Sequence, residues 1–329
     1  MARVFSPAEA DTGVLDGWPV AVLGYGNQGR AQALNLRDSG VPVVIGARPG
    51  RSRAKATEDG FEVLEIPEAI ERAMVIAVLL SESGFENAYP KVIQPALSAN
   101  QCLIFAHGFS FVYGGFLPPP EVDLVLCSPK GPGAWLREQY EQGSGLPCCI
   151  AVAQDYTGTA LQRALAYCAG IGGLRVFCYE STFEEETIGN LFGEHAVFCG
   201  GLTALIQAGF ETLVKNGHSP ESAYFDTLHT IKLIADLLFY KGWTGARESI
   251  SETAEWGDYF GGPKVIGEGS KAAMQKIYEG LLSGELVDSL LEDQRAGHPA
   301  LKAERVRQEG HSLAEVSDTI QRAEGKRSQ

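Results

Sequence analysis

Residues Val20 to Arg30 read VAVLGYGNQGR, an apolar run that ends in a glycine-spaced turn. Gly24, Gly26 and Gly29 fit G-x-G-x-x-G, and Ala31-Gln-Ala-Leu-Asn-Leu continues with helical character. A strand, a tight turn and a helix N-terminus make a cradle for a pyrophosphate. The first glycine permits the turn, the second lets a phosphate approach the backbone, and the third lets helix pack on strand. Tyr25, Asn27 and Gln28 fill the rest of the turn and are candidate cofactor contacts with the three glycines. The same spacing occurs in ordinary strand–helix turns, so the reading needs support from further along the chain.

Val41-Pro-Val-Val-Ile-Gly-Ala is a second buried-type strand, placed where the ribose of a bound dinucleotide falls. An acidic residue after it would favour the free 2′-hydroxyl of NAD. This chain has Arg48, Arg51, Ser52 and Arg53 there, with Lys55 close behind. Guanidinium groups and a hydroxyl suit a 2′-phosphate, through charge-assisted and often bidentate contacts. In a chain of net charge −14, these four cations contrast with the acidic whole. The expected cofactor is NADPH.

Up to about Ser181, apolar runs alternate with helical segments. Strands are expected at Met74 to Leu80, Cys102 to Ala106, Val122 to Cys127, Cys148 to Val152 and Leu174 to Cys178. Helices are expected at Asn87 to Ser98 and Gly158 to Ala169, among others. This alternation indicates a mostly parallel, doubly wound α/β sheet. After Thr182 the strand signals vanish, and 183–216, 219–238, 246–259 and 270–283 read as helix. The expected division is 1–182, a Rossmann-type α/β domain, and 183–329, an all-α domain. The charged tail from Gln294 reads as only partly ordered.

No uninterrupted apolar run approaches the roughly 20 residues that span a bilayer, and the N-terminus lacks a secretory pattern. Seven cysteines lie scattered in apolar stretches without zinc-type spacing, and read as reduced core residues of a cytoplasmic protein. The acidic balance argues against a nucleic-acid partner.

Ligands of open α/β sheets sit beyond the carboxyl ends of the strands. His107 in AHGFSF and Lys130 in SPKGPG both fall at such strand ends. Each is a candidate to face the nicotinamide, with a structural role as the competing reading.

The blocks GYGNQGRAQALNLRDSG, AHGF, PKGPG, AQDYTGTA, ALAYCAGIGG, LFGEHAVFCGGLTALIQAGFETLV, AYFDTLHTIKLI and SISETAEWGDY resemble the ketol-acid reductoisomerase family, also called acetohydroxy acid isomeroreductase. The resemblance runs from about Gly17 to Pro299 and fits the short form of the family. It implies an NADPH-binding Rossmann-type domain, a knotted all-helical C-terminal domain and a homodimer. It also implies magnesium-assisted alkyl migration in an acetohydroxy acid, followed by reduction of the resulting 2-keto acid.

The chain departs from the family pattern where the metal is held. The family's first metal helix carries D-x-x-x-E; here it is Asn190-Leu-Phe-Gly-Glu194. The second carries E-x-x-x-E; here it is Asp226-Thr-Leu-His-Thr230. Four carboxylates become two, Glu194 and Asp226, while Asn190, Thr230 and the family's substrate serine, Ser251, remain as candidate substrate contacts. At ~4 Å and an effective dielectric of ~20, one carboxylate gains roughly 8 kcal/mol gross with a divalent ion. Losing two such groups weakens a magnesium pair by several kcal/mol, so one weakly held Mg2+ on Glu194 and Asp226, or none, is expected.

His195 lies one residue past Glu194, about 100° around the helix, and reads as packing. His229 reads as support for the metal helix, and Glu184, Glu185 and Glu186 as partners of a helix N-terminus.

His107, Lys130 and Glu194 are the catalytic candidates. The chain is expected to be an NADPH-dependent oxidoreductase acting on a small 2-keto acid or a derived imine, with isomerase activity lost or weakened. The alternatives are a working ketol-acid reductoisomerase and an NADPH-binding pseudoenzyme.

Overall fold

The protein is described by a computed structural model covering residues 1–325, and it forms two compact units, Met1–Thr187 and a second beginning at Ile188. The first is built on nine strands: β1 (Val4–Phe5), β2 (Val20–Leu23), β3 (Val43–Gly46), β4 (Glu62–Leu64), β5 (Val75–Val78), β6 (Cys102–Phe105), β7 (Asp123–Pro129), β8 (Cys148–Gln154) and β9 (Cys178–Glu180). They form one sheet in the order β1-β9-β8-β7-β6-β5-β2-β3-β4. Its helices are α1 (Asn27–Asp38), α2 (Arg51–Glu58), α3 (Ile66–Glu71), α4 (Glu82–Ala88), α5 (Phe109–Val112), α6 (Gly133–Glu141) and α7 (Ala160–Gly170).

Strands β2, β5 and β6 are buried along their whole length. Both sheet faces are covered, so the strands read as continuous apolar runs instead of alternating ones. Val20, Val22, Val75 and Ile104 pack into one core layer, and Ala21, Leu23, Ile76 and Leu103 into the other. The strand β2 pairs in parallel with both β3 and β5. The chain therefore reverses its direction of build across β2, which is where open sheets of this kind leave a ligand crevice.

Three local expectations change. The strand β8 runs antiparallel to β7, and β1, not expected from the sequence, closes the edge antiparallel to β9. The strand expected over Leu174–Cys178 starts only at Cys178, because Gly172 turns at φ 92° into a 3₁₀ turn over Gly173–Arg175. The helix expected over Asn87–Ser98 is instead the end of α4, a π-turn at Tyr89–Ile93 and a 3₁₀ turn at Gln94–Ala96. Pro90 and Pro95 each remove a backbone donor there, which a regular helix does not tolerate.

The remaining chain is helical: α8 (Phe183–Phe192), which starts inside the first unit, then α9 (Gly200–Lys215), α10 (Pro220–Tyr224), α11 (Ile231–Arg247), α12 (Glu252–Val265), α13 (Glu268–Ser283), α14 (Glu285–Arg295), α15 (Pro299–Glu309) and α16 (Ser312–Ala323). π-turns at Gly193–Phe198 and Phe225–His229 lie between α8 and α9 and between α10 and α11. The tail beyond Gln294, read as partly ordered, is thus two helices. Leu313, Val316 and Ile320 recur at helical spacing and pack α16 onto Phe210, Ala223 and Tyr224. The run Phe183–Lys215 is long and apolar enough to cross a membrane by length and composition alone, which the sequence reading did not anticipate.

Candidate functional site

Each of the three turn glycines has a separate physical reason. Gly24 sits at φ 93°, and a Cβ there would stand 2.8 Å from the Leu79 carbonyl oxygen. Gly29 lies under the same turn, where a Cβ would come within 2.2 Å of the Gly24 oxygen. Gly26 caps α1 at an ordinary φ of −86°, and a Cβ there would meet nothing within 4 Å. No neighbour inside the protein demands glycine at that position. An open backbone beside the unpaired first-turn amides of a helix suits an incoming pyrophosphate.

The other turn residues brace this loop. The buried Tyr25 donates its hydroxyl to Asp59 Oδ2 at 2.9 Å, and Arg30 Nε donates to the same oxygen at 2.6 Å. The Arg30 hydrogen bond outweighs burial and, helped by Tyr25, draws the Asp59 carboxyl down to about 2. Asn27 Oδ1 accepts from the Ala134 amide at 3.0 Å, and Gln28 Nε2 donates to the Gly131 carbonyl at 2.9 Å. A Cβ on Gly133 would stand 2.2 Å from the Asn27 oxygen. The phosphate turn and the loop carrying Lys130 are therefore clamped together. Tyr25, Asn27 and Gln28, read from sequence as cofactor contacts, have their side chains engaged in this support.

The basic segment divides in two. Arg48, Arg51 and Ser52 are exposed at the start of α2, and among the described residues no ion pair claims either arginine. Arg53 is bound back to the protein, donating to the Ala47 carbonyl at 3.0 Å and to Glu65.

His107 follows β6 and lies 3.5 Å from Glu82 at the start of α4, both partly exposed. Lys130 follows β7 and donates to Glu186 Oε1 at 2.8 Å, the same oxygen that accepts from Ser128 Oγ at 2.8 Å. The Glu186 side chain is only 2% exposed. Burial works against the Lys130 charge, but Cys149 and the Glu186 carboxylate overcome it, and the ammonium is held above the ordinary lysine pKa. Glu186 Oε2 and Thr187 Oγ1 are buried without a hydrogen-bond partner. A Cβ on Gly108 would press on Thr187 Oγ1 at 2.4 Å, so glycine beside His107 lets the first turn of α8 close in.

Glu186 was missed as a site residue in the sequence, where it stands in a run of three glutamates. The signal was its place in the helix: Glu184 and Glu185 are exposed, and only Glu186 falls on the inward face with Phe183 and Thr187.

In the helical unit, Asn190 Nδ2 donates to Glu194 Oε1 at 3.2 Å. Two carboxylates at i and i+4 repel each other unless a cation lies between them; an amide facing a carboxylate needs none. The Thr230 hydroxyl is turned back onto the Phe225 carbonyl at 2.8 Å, and Asp226 lies 3.5 Å from Ser222 Oγ. Ser251 caps α12, its hydroxyl accepting from the Ala254 amide at 3.2 Å. His195 Nδ1 contacts the Leu191 carbonyl at 2.8 Å. Glu194 and Asp226 both sit in π-turns, a backbone form often found at functional positions. Two carboxylates, an inward-paired amide and an engaged hydroxyl do not fit a pair of octahedral magnesium ions.

Comparison with known proteins accounts for both halves of the chain. Residues 14–176 match the family model of the acetohydroxy acid isomeroreductase NADPH-binding domain, and residues 183–324 that of the ketol-acid reductoisomerase C-terminal domain. An NADH-preferring ketol-acid reductoisomerase from an uncultured archean is 38% identical, with a TM-score of 0.92 over 97% of this chain and 98% of that one. A semialdehyde dehydrogenase NAD-binding protein from Cupriavidus necator, at 16% identity and TM-score 0.61 over 81% of this chain and 99% of that one, shares the fold alone. A glycine turn built for a dinucleotide, a charged lysine at a strand end and a helical second unit thus stand together in one protein: the chain belongs to the ketol-acid reductoisomerase family and is an NAD(P)H-dependent oxidoreductase.

Proposed function

We propose that this enzyme is an NADPH-dependent reductase of a small 2-keto acid, or of an imine derived from one, whose isomerase activity is lost or weakened. The observation that carries the reading is the Asn190–Glu194 hydrogen bond. It replaces a pair of carboxylates that would require a cation with a pair that is stable without one. Alkyl migration depends on metal acting as a Lewis acid on both oxygens of the migrating system, and no step is assigned to metal here.

Reduction needs less from the protein. Bound NADPH supplies a hydride to the electrophilic carbon. The substrate oxygen or nitrogen takes a proton, for which Lys130, kept charged by Glu186, and His107 are the candidate donors. Glu194, Asp226 and Ser251 are assigned to the polar groups of the substrate, and a carboxylate near an iminium would stabilise its positive charge. Arg48, Arg51 and Ser52 support NADPH over NADH, although the archaeal relative is NADH-preferring. The first unit is assigned to cofactor and the second to substrate, with the change of role near residue 182.

A working ketol-acid reductoisomerase with an unusual metal site is the second reading, favoured by the retention of Glu194, Asp226, Ser251, His107 and Lys130. Oxidation of NADPH with 2-acetolactate and with 3-hydroxy-3-methyl-2-oxobutanoate, each with and without magnesium, separates the two. Turnover of the second substrate or of added imines, with none of 2-acetolactate, is the expected result. Magnesium-dependent turnover of 2-acetolactate would sink the proposal, and silence on a broad panel of keto acids and imines would favour an NADPH-binding pseudoenzyme. Combining Asn190→Asp, Asp226→Glu and Thr230→Glu is expected to bring back magnesium-dependent migration by restoring the four carboxylates.

A further inference from the structure

Six of the seven cysteines are buried, and four of these meet at one place in the first unit. The Sγ atoms of Cys127, Cys148 and Cys168 all lie within 4.8 Å of one another. Cys178 Sγ is 3.8 Å from Cys168 Sγ. The four residues come from four elements, β7, β8, α7 and β9, and each is 0% exposed. Successive residues of a strand point to opposite faces. Cys148 accordingly joins the cluster in one core layer, while Cys149 lies in the other and influences Lys130. The cluster is thus on the far side of the sheet from the Lys130–Glu186 pair.

Gly173 shapes the same spot. A Cβ there would stand 2.4 Å from Cys148 Sγ and 2.6 Å from Cys168 Sγ, so only glycine lets the 3₁₀ turn over Gly173–Arg175 close on the sulfurs.

We propose that Cys127, Cys148 and Cys168 bind one thiophilic d¹⁰ cation, copper(I) or zinc, with Cys178 as the additional donor for a tetrahedral ion. A metal–sulfur bond of about 2.3 Å sets the sulfurs of a trigonal site about 4 Å apart. The existing triangle closes to that size with small side-chain shifts. An all-sulfur donor set selects soft metals and excludes magnesium, calcium and manganese. Each thiol that becomes a ligand gives up its proton to solvent. The Cys127 and Cys168 thiols already stabilise the Cys148 thiolate, holding its pKa below the ordinary thiol value. A site with no exposed ligand loads as the chain folds and exchanges slowly afterwards. The scattered spacing in the sequence gives no sign of it, since the four residues converge only through the sheet and α7.

The test uses the full chain, unfolded and refolded without oxygen in the presence of one equivalent of copper(I) or of zinc, then passed over chelating resin. Mass spectrometry of the metal content is expected to show about one ion per chain for at least one of them. Cys148→Ala and Cys168→Ala are each expected to weaken retention more than about a hundredfold, beyond the loss typical of a supporting group. Cys199→Ser, on an exposed thiol, should leave it unchanged. Loss of zinc alone in Cys178→Ala would assign the fourth ligand. Should the alanine variants not refold, X-ray absorption of the loaded wild type decides, with three or four sulfur neighbours expected. Properly refolded wild type that retains neither metal, or that holds it on nitrogen and oxygen, would overturn the proposal.

Discussion

Glu186 gathers Lys130 Nζ and Ser128 Oγ on one carboxylate oxygen, almost wholly out of water. Replacing it with glutamine removes the anion that favours the lysine charge and leaves burial, which opposes it. The alkaline limb of the kcat–pH profile of Glu186→Gln is therefore expected to move down by about one pH unit or more, measured by steady-state reduction. A limb unmoved in Glu186→Gln would mean that Lys130 does not set it. Among the arginines, Arg48→Ala with Arg51→Ala is expected to lower the NADPH-to-NADH ratio of kcat/KM at least about tenfold, corresponding to roughly 1.4 kcal/mol of lost phosphate recognition. Arg53→Ala should cost stability instead, because its guanidinium is tied to Ala47 and Glu65. Residue types were legible in the sequence and side-chain directions were not. The sequence marks Arg48, Arg51 and Arg53 as equivalent cations, and treats Glu184, Glu185 and Glu186 alike. Only the turn of a helix decides which one points inward.

The first turn of α1 does two jobs, since its backbone forms the anion cradle while its side chains hold the loop ahead of α6. Asn27→Ala removes a cap on the Ala134 amide. The expected outcome is about 1 kcal/mol of lost stability in urea unfolding, together with a raised KM for NADPH. A change in stability without a change in KM would show that the clamp does not position the cradle. Strand–turn–helix units and the apolar core strands β2, β5 and β6 were readable because every residue in them obeys one pattern. The π-turns at 193–198 and 225–229 were not, because their sequences are ordinary helix formers and the extra residue per turn is chosen by packing. The antiparallel pairing of β8 was likewise hidden, since a fully buried strand carries no mark of its direction.

The helical unit leaves large apolar side chains in solvent, among them Tyr240 at 79%, Trp243 at 71% and Trp256 at 60% exposure. A patch of this kind marks a surface that another protein covers, and we assign it to a second copy of the chain. The exposed Phe198 and Leu205 of the apolar run 183–215 belong to the same reading. Trp243→Glu with Tyr240→Glu is expected to convert a dimer to a monomer in light scattering coupled to size exclusion; a wild type that already runs as a monomer would remove the assignment. The division into a sheet half and a helical half was visible in the sequence, because strand signals stop abruptly. How little of the second half would be buried was not, because helical periodicity shows that an apolar face exists and not what covers it. The two π-turns have a last consequence for inheritance. Each is, in effect, one residue more than an α-helix would use, so losing a single codon there would let a regular helix re-form and swing everything downstream by about 100°. Phe210 would then turn away from Tyr224 and Ile320. Point substitutions can change what this lineage reduces, but its reading length across these segments is locked.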